Sequence, residues 1–352
     1  MRYHFGIIGV GVIAEMHAKA IASLGNGTLT ACFDVDQARL VQFCSQFGGT
    51  SYTSLDAFLA HPDLDIVTVC SPSGLHLEGA VKAAHAGKHL LVEKPLEITI
   101  DRCDQIIRAA ADNNVTLAGI FPSRFHAPAK VIKKAIDDGR FGRIVLADAY
   151  VKWYREQAYY DTSGWKGTWK YDGGGALMNQ SIHAIDLLQW FMGPVSRICS
   201  FSGTLAHERI EVEDTAVAVL QFENGTLGVI EGTTGAYPGS LKKIEISGSH
   251  GHVIMEEEDI IIWKFAEETP EDDEIRASFI NQTATGGGAA DPTAIGFHGH
   301  QAQFVDLVEA IEQGRPPLVD GQEARKAVEI IQAIYQSSRT QQPVTLPLSA
   351  KG

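Results

Sequence analysis

The chain has 352 residues, more than one ordinary core takes up, and it reads as two domains. A formal net charge of −14 argues against nucleic acid or an anionic membrane surface as partner, and 45% apolar with 20% charged residues is a soluble globular composition. The five cysteines (32, 44, 70, 103 and 199) show no CxxC and no metal-ligand spacing, so they read as reduced thiols of a cytoplasmic protein. No signal peptide is expected, because the N-terminus runs straight into the first predicted strand. The longest apolar runs fall short of the roughly 20 residues that a membrane span needs.

The first element carries the first motif. An apolar run enters Gly9-x-Gly11-x-x-Ala14, and an amphipathic helix follows. Gly9 permits a tight turn, Gly11 lets the backbone approach a pyrophosphate, and Ala14 lets the helix pack on the sheet. The helix start, at Val12 and Ile13, offers N–H groups to the anion. Asp34 ends the next apolar run, where its carboxylate accepts hydrogen bonds from both ribose hydroxyls. NAD is therefore expected over NADP, since Asp34 repels a 2′-phosphate. Arg39 is also assigned to the cofactor, placed one helical turn into the following helix rather than beside Asp34, with a swing toward Asp34 left open.

Apolar runs at 5–9, 28–33, 66–70, 89–92 and 115–120 alternate with helical patterns at 14–24, 36–47, 54–60, 76–86 and 101–112. Continuous apolar runs suit strands covered on both faces, so residues 1–121 are expected to form a doubly wound parallel sheet, a Rossmann dinucleotide-binding domain. Further cofactor contacts are assigned to Ser71 and Pro72 after the third run and to His76, Glu93 and Lys94. His17 and His76 also read as packing or capping residues. Glu93, Lys94 and Pro95 follow the fourth run on the ligand-binding side of the sheet, and Pro95 restricts Lys94 to extended or turn geometry.

After residue 121 the pattern changes. A helix is predicted at 127–138, then longer alternating runs at 143–153, 195–207, 212–222, 226–234, 241–248, 251–256 and 259–265, an antiparallel meander with one solvated face. Residues 266–296 read as a long, mobile loop, and helical periodicity returns at 298–313 and 320–338. Residues 122–352 are thus expected to form an α/β domain, built on a large, open, mostly antiparallel sheet, that binds substrate and oligomerises.

Two stretches of this domain carry candidate chemistry. Gly173-Gly174-Gly175 let substrate or cofactor come close to the start of a helix on which Asn179, His183 and Asp186 share a stripe, so His183 is a candidate general base oriented by Asn179 or Asp186. The aromatic stretch from Trp153 to Trp169 offers Tyr154 and Trp165 to stack on a sugar ring and Arg155 and Lys166 to meet hydroxyls or an acid. Arg124 is a further substrate candidate. His298 and His300 suggest a metal, but no neighbouring Cys or carboxylate in the sequence completes a site, and none is expected.

Taken with GxGxxA, these motifs make the chain resemble the glucose–fructose oxidoreductase/inositol 2-dehydrogenase (Gfo/Idh/MocA) family over essentially its whole length. The family's E-K-P signature stands as Glu93-Lys94-Pro95. Its G-G-G-x-L-x-D-x-G-x-H-x-x-D helix runs from Gly173 through Asn179, Ser181, His183 and Asp186, and its closing pattern from Gln303 to Pro317. The resemblance implies hydride transfer between a nicotinamide and a ring carbinol of a sugar, glycoside or nucleotide sugar. Lys94 and His183 would be the catalytic pair, with Asn179 orienting, and the open sheet face would make a homodimer or homotetramer. One departure matters: Asn179 stands where inositol-dehydrogenase-like members have Asp, and it cannot stabilise an imidazolium by charge. That favours a nucleotide-sugar or glycoside 3-dehydrogenase type of site. The alternatives are an NADP-linked reductase of keto-sugars or pigment intermediates, and a catalytically silent nucleotide-sensing protein.

Overall fold

Apolar runs buried on both faces pair as the centre of a parallel sheet. In the computed structural model, which describes residues 1–280 and 298–348, six strands take the order β3-β2-β1-β4-β5-β6, all parallel. They are β1 (Tyr3–Ile8), β2 (Gly27–Phe33), β3 (Thr50–Tyr52), β4 (Ile66–Val69), β5 (His89–Val92) and β6 (Leu117–Gly119). The crossovers are α1 (Val12–Ser23), α2 (Gln37–Phe47), α3 (Leu55–Leu59), α4 (His76–His85) and α5 (Ile100–Asp112). Asp36 caps α2 by accepting from the N–H groups of Ala38 and Arg39, and Thr99 caps α5 through Arg102 N–H. This is the doubly wound domain that the sequence predicts, with β3 as an added short strand.

The second sheet has eight strands: β7 (Ile144–Lys152), β8 (Val195–Gly203), β9 (Thr215–Phe222), β10 (Leu227–Thr233), β11 (Lys243–Gly248), β12 (Gly251–Glu256), β13 (Asp259–Phe265) and β14 (Val344–Thr345). Their order is β13-β12-β11-β7-β10-β9-β8-β14. The predicted meander is interrupted at its centre, where β7 and β10 pair in parallel. The helices that accompany this sheet are α6 (Ala127–Asp137), α7 (Gln157–Asp161) and α8 (Ile182–Met192). Glycine at 193, with φ +81, ends α8.

Residues 266–280 correct the expected loop. They include α9 (Pro270–Phe279), started by a capping box in which Thr269 and Asp272 satisfy each other's backbone N–H groups. Asp272 is buried, and Arg140 holds it from two nitrogens at 2.6 and 2.8 Å. The rest of that predicted loop, 281–296, lies outside the described residues.

Two compact units result: Met1–Pro122 with Phe297–Val328, and Ser123–Gly296 with Glu329–Gly352. The sequence reading placed all of 122–352 in one domain. Instead α10 (His298–Gln313) packs on the first unit, where Phe304 and Leu307 are fully buried and Phe304 meets Phe5 at 5.8 Å. The chain then passes along α11 (Gly321–Thr340) into the second unit. Among the described residues no helix is long and apolar enough to cross a membrane.

Candidate active site

In the first unit, the end of β1 and the start of α1 fit a dinucleotide. Gly9 has φ +85, and a β-carbon there would lie 2.8 Å from the backbone nitrogen of Ser71, so only glycine fits between these strands. At Gly11, by contrast, a β-carbon meets nothing within 4 Å, so packing within the chain does not require glycine. The α1 N-terminus has no side-chain cap, and Val12 beside it is 84% exposed. Its N–H groups are therefore left for an anion. The Ser71 hydroxyl is buried with no hydrogen-bond partner among the described residues, which also suits a bound polar group.

Asp34 lies at the end of β2 as predicted, but Arg39 corrects the expectation. Its Nη2 donates to Asp34 Oδ1 at 3.1 Å, bringing it beside the carboxylate instead of a turn away. Asp34 also accepts from Val10 N–H and Asp36 N–H, each at 2.9 Å. A buried carboxylate at the ribose end still disfavours a second anion there. The expected result is NAD binding at least tenfold tighter than NADP, about 1.4 kcal/mol. Fluorescence titration with both cofactors checks it; equal affinity would mean that Arg39 turns toward a 2′-phosphate and cancels Asp34.

Two of the residues assigned to the cofactor make buried contacts within the unit. His76 is buried between the two loops, with Nδ1 2.9 Å from the Pro95 carbonyl and Nε2 2.9 Å from the Ser71 carbonyl. Glu93 is buried too, with Oε1 2.9 Å from His17 Nε2 and Oε2 accepting from Lys94 N–H at 2.9 Å. The Lys94–Pro95 bond is cis. From Leu90 to Ile98, Lys94 alone escapes full burial. His300 closes on the same carboxylate at 3.8 Å. The carboxylate that the sequence lacked near the HxH pair is therefore supplied by β5, far away in the chain.

In the second unit the triple glycine has a packing cause. A side chain at Gly174 would collide with the Tyr335 hydroxyl, and one at Gly175 with the Glu213 carbonyl. The sequence reading took these glycines as room for a ligand. Here they admit Glu213, which accepts from Gly175 N–H and Leu177 N–H at 2.9 Å and from the Tyr335 hydroxyl at 3.0 Å. Burial pushes the Glu213 carboxyl up to about 7, against the pull of those donors.

A π-helical turn (Ala176–Ser181) then leads into α8. From Asp172 to Gln189 every residue is buried except Asn179 and His183. Asn179 Nδ2 donates to Asp172 Oδ1 at 2.6 Å, and its Oδ1 accepts from Gln180 at 3.0 Å. The amide orientation is thus fixed by neighbours that the sequence reading had not singled out. Gln180 accepts from Arg155 Nη2 at 3.1 Å and donates to the Tyr159 hydroxyl at 2.8 Å.

The predicted substrate residues divide. Arg155 is buried and holds the Tyr154 carbonyl at 2.8 Å, with its guanidinium over Trp153 at 5.2 Å. Tyr154 and Trp165 are half-buried, and Lys166 lies 3.7 Å above the Tyr159 ring. Arg124 is corrected. It is fully buried and grips Asp186 with two nitrogens at 2.6 and 2.8 Å, which leaves it no exposed surface for a substrate. The same pairing gives Asp186 a structural partner within the unit.

Comparison with known proteins identifies the family. Residues 3–121 match the model of the oxidoreductase family with an NAD-binding Rossmann fold, GFO/IDH/MocA, and residues 130–254 match the GFO/IDH/MocA C-terminal domain. The WlbA dehydrogenase of Bordetella pertussis, solved in complex with NADH and UDP-GlcNAcA, is 34% identical, with a TM-score of 0.91 over 99% of both chains. The myo-inositol 2-dehydrogenase of Thermotoga maritima is 26% identical over 97% of this chain and 98% of its own. The levoglucosan dehydrogenase of Pseudarthrobacter phenanthrenivorans is 25% identical over 71% and 72%. With its Rossmann cradle, its Glu93-Lys94-Pro95 turn and a match along its full length, the chain belongs to the GFO/IDH/MocA family of NAD-dependent oxidoreductases.

Proposed function

We propose that the chain is an NAD-dependent dehydrogenase oxidising a ring carbinol of a nucleotide sugar of the UDP-N-acetylglucosaminuronate type. The observation that carries this reading is the exposure pattern: Lys94 alone in 90–98, and Asn179 and His183 alone in 172–189, are not fully buried. Burying every neighbour while leaving these three polar groups accessible suits residues that meet a ligand. The full-length similarity to a dehydrogenase solved with NADH and UDP-GlcNAcA supports the substrate class.

Bound NAD supplies the hydride acceptor. His183 takes the hydroxyl proton on oxidation and returns it on reduction. Lys94 donates a hydrogen bond to the reacting oxygen and steadies its developing negative charge. Asn179, held by Asp172, is neutral and orients the substrate or the imidazole without adding charge. Lys166 is the cation for the substrate's acid or phosphates, and Tyr154 and Trp165 are surfaces for its rings.

A spectrophotometric comparison at 340 nm of UDP-N-acetylglucosaminuronate, UDP-N-acetylglucosamine, myo-inositol and levoglucosan tests the assignment. The expected kcat/KM is highest for the nucleotide sugar acid by at least a hundredfold. A preference for inositol or levoglucosan would overturn the nucleotide-sugar reading.

We also infer a homo-oligomer formed through the open face of the eight-stranded sheet. Phe201, Val217, Val219, Leu227 and Leu146 are exposed, and strand register puts them on one face. An apolar patch of that kind favours association. Light scattering giving a monomer mass at micromolar concentration would contradict it. The cytoplasm is the compartment that keeps the five free cysteines reduced.

A further inference from the structure

We propose that His17, Glu93 and His300 form a buried device that positions Lys94, an inference that rests on Lys94 meeting the reacting hydroxyl. The three side chains come from α1, the end of β5 and the first turn of α10, and their ligand-capable atoms lie within 4.8 Å of one another.

The hydrogen bonds run in one direction. Thr68 Oγ1 lies 2.5 Å from His17 Nδ1, and His17 Nε2 lies 2.9 Å from Glu93 Oε1. An ionised Glu93 only accepts, so His17 donates from Nε2, and the Nδ1 of the neutral ring accepts from the Thr68 hydroxyl. Burial pushes His17 below the usual imidazole value, which keeps it neutral. Burial pushes Glu93 the other way, but the His17 hydrogen bond, with His300 behind it, holds the carboxyl well below its usual range. The carboxylate is therefore ionised, and its other oxygen accepts the N–H of Lys94 at 2.9 Å. On the far side of Lys94, the buried His76 ring lies between two carbonyls, with Nδ1 2.9 Å from that of Pro95 and Nε2 2.9 Å from that of Ser71. The backbone on both sides of this accessible residue thus packs against buried polar side chains.

A cation at this cluster is the competing explanation. The direct His17–Glu93 hydrogen bond and the bond to Lys94 N–H already use both carboxylate oxygens, so the observed distances need no ion. A metal would also have to break the 2.9 Å contact to reach coordination distances near 2.0–2.2 Å.

The test compares His17→Leu, His17→Gln and Thr68→Val with wild type and with Lys94→Met, at a temperature well below each melting point. His17→Leu removes the donor to Glu93. It is expected to lower kcat on the nucleotide sugar about 10–100-fold, the cost of a displaced catalytic group, while the NAD dissociation constant stays within about threefold. Its kcat–pH profile should gain an ionisation between about pH 5 and 8, because a buried carboxylate without its donor titrates higher. His17→Gln keeps an N–H donor and recovers most of the loss. Thr68→Val, which changes only one buried hydroxyl, lowers kcat about 3–10-fold and serves if His17→Leu does not fold. Wild-type kcat and pH profile in folded His17→Leu or Thr68→Val, with Lys94→Met inactive, would overturn the positioning role alone. Normal turnover by Lys94→Met would overturn the reading beneath it as well. Stoichiometric zinc in the purified protein, with activity lost on chelation, would replace the hydrogen-bond account with a metal site.

Discussion

Lys94→Met and His183→Asn are each expected to lower turnover by about 10²–10⁴, the range for a positioned acid or base. Both side chains stand out from buried runs, so replacing them removes chemistry with little packing. Met keeps the length of Lys94 without its charge or donors. Asn at 183 keeps polarity but cannot take a proton near neutral pH. NAD affinity should barely change in His183→Asn, because the nucleotide cradle of Gly9, Gly11 and Asp34 belongs to the first unit and His183 to the second. If both residues serve one hydroxyl, the double variant loses far less than the product of the single losses. Steady-state kinetics of the four proteins on the best substrate decides this. Near-normal kcat in His183→Asn would make the histidine structural.

The largest stability effect is expected at the Arg124–Asp186 pair. Both side chains are fully buried, and the guanidinium also lies 5.6 Å from the centre of the Trp190 ring. Asp186→Asn removes a carboxylate that grips the buried guanidinium with two hydrogen bonds, at a cost of about 3–5 kcal/mol. Replacing both partners with apolar residues removes the charge as well as its partner and should recover much of that loss. Urea unfolding at constant m-value measures both. A loss below about 1 kcal/mol in Asp186→Asn would mean that water or another group already compensates Arg124. Asp186 lies one turn after His183 on α8, so the pair also holds the helix that presents the proposed base.

The two Rossmann halves were legible because parallel strands covered on both faces leave continuous apolar runs, as in Ile66–Val69 and Leu90–Val92. β3 gave no such signal, since two of its three residues are exposed. α9 was hidden for another reason. Its sequence is dominated by charge, and a capping box with one buried acid starts it, where an apolar stripe would have been visible. The parallel pairing of β7 with β10 depends on which strands meet, and alternation along one strand cannot report that.

The candidate residues could be picked from the sequence one by one, but their pairings could not. Lys94, Asn179 and His183 followed from motif position. That Arg124 is consumed by Asp186, 62 residues away, could not be read from either stretch alone. The reach of Arg39 to Asp34 could only be left open, because a residue's position along a helix says little about where a long side chain ends. The triple glycine was read as room for a ligand, whereas Tyr335 and Glu213 claim that room from within the unit.

Single-turnover mixing tests the central claim most directly. Enzyme saturated with NAD is mixed with UDP-N-acetylglucosaminuronate, and absorbance is followed at 340 nm. The expected result is a rapid rise, bounded by one NADH per active site, that is absent in Lys94→Met and in His183→Asn. No rise with the wild-type enzyme, although NAD and the nucleotide sugar both bind, would contradict it.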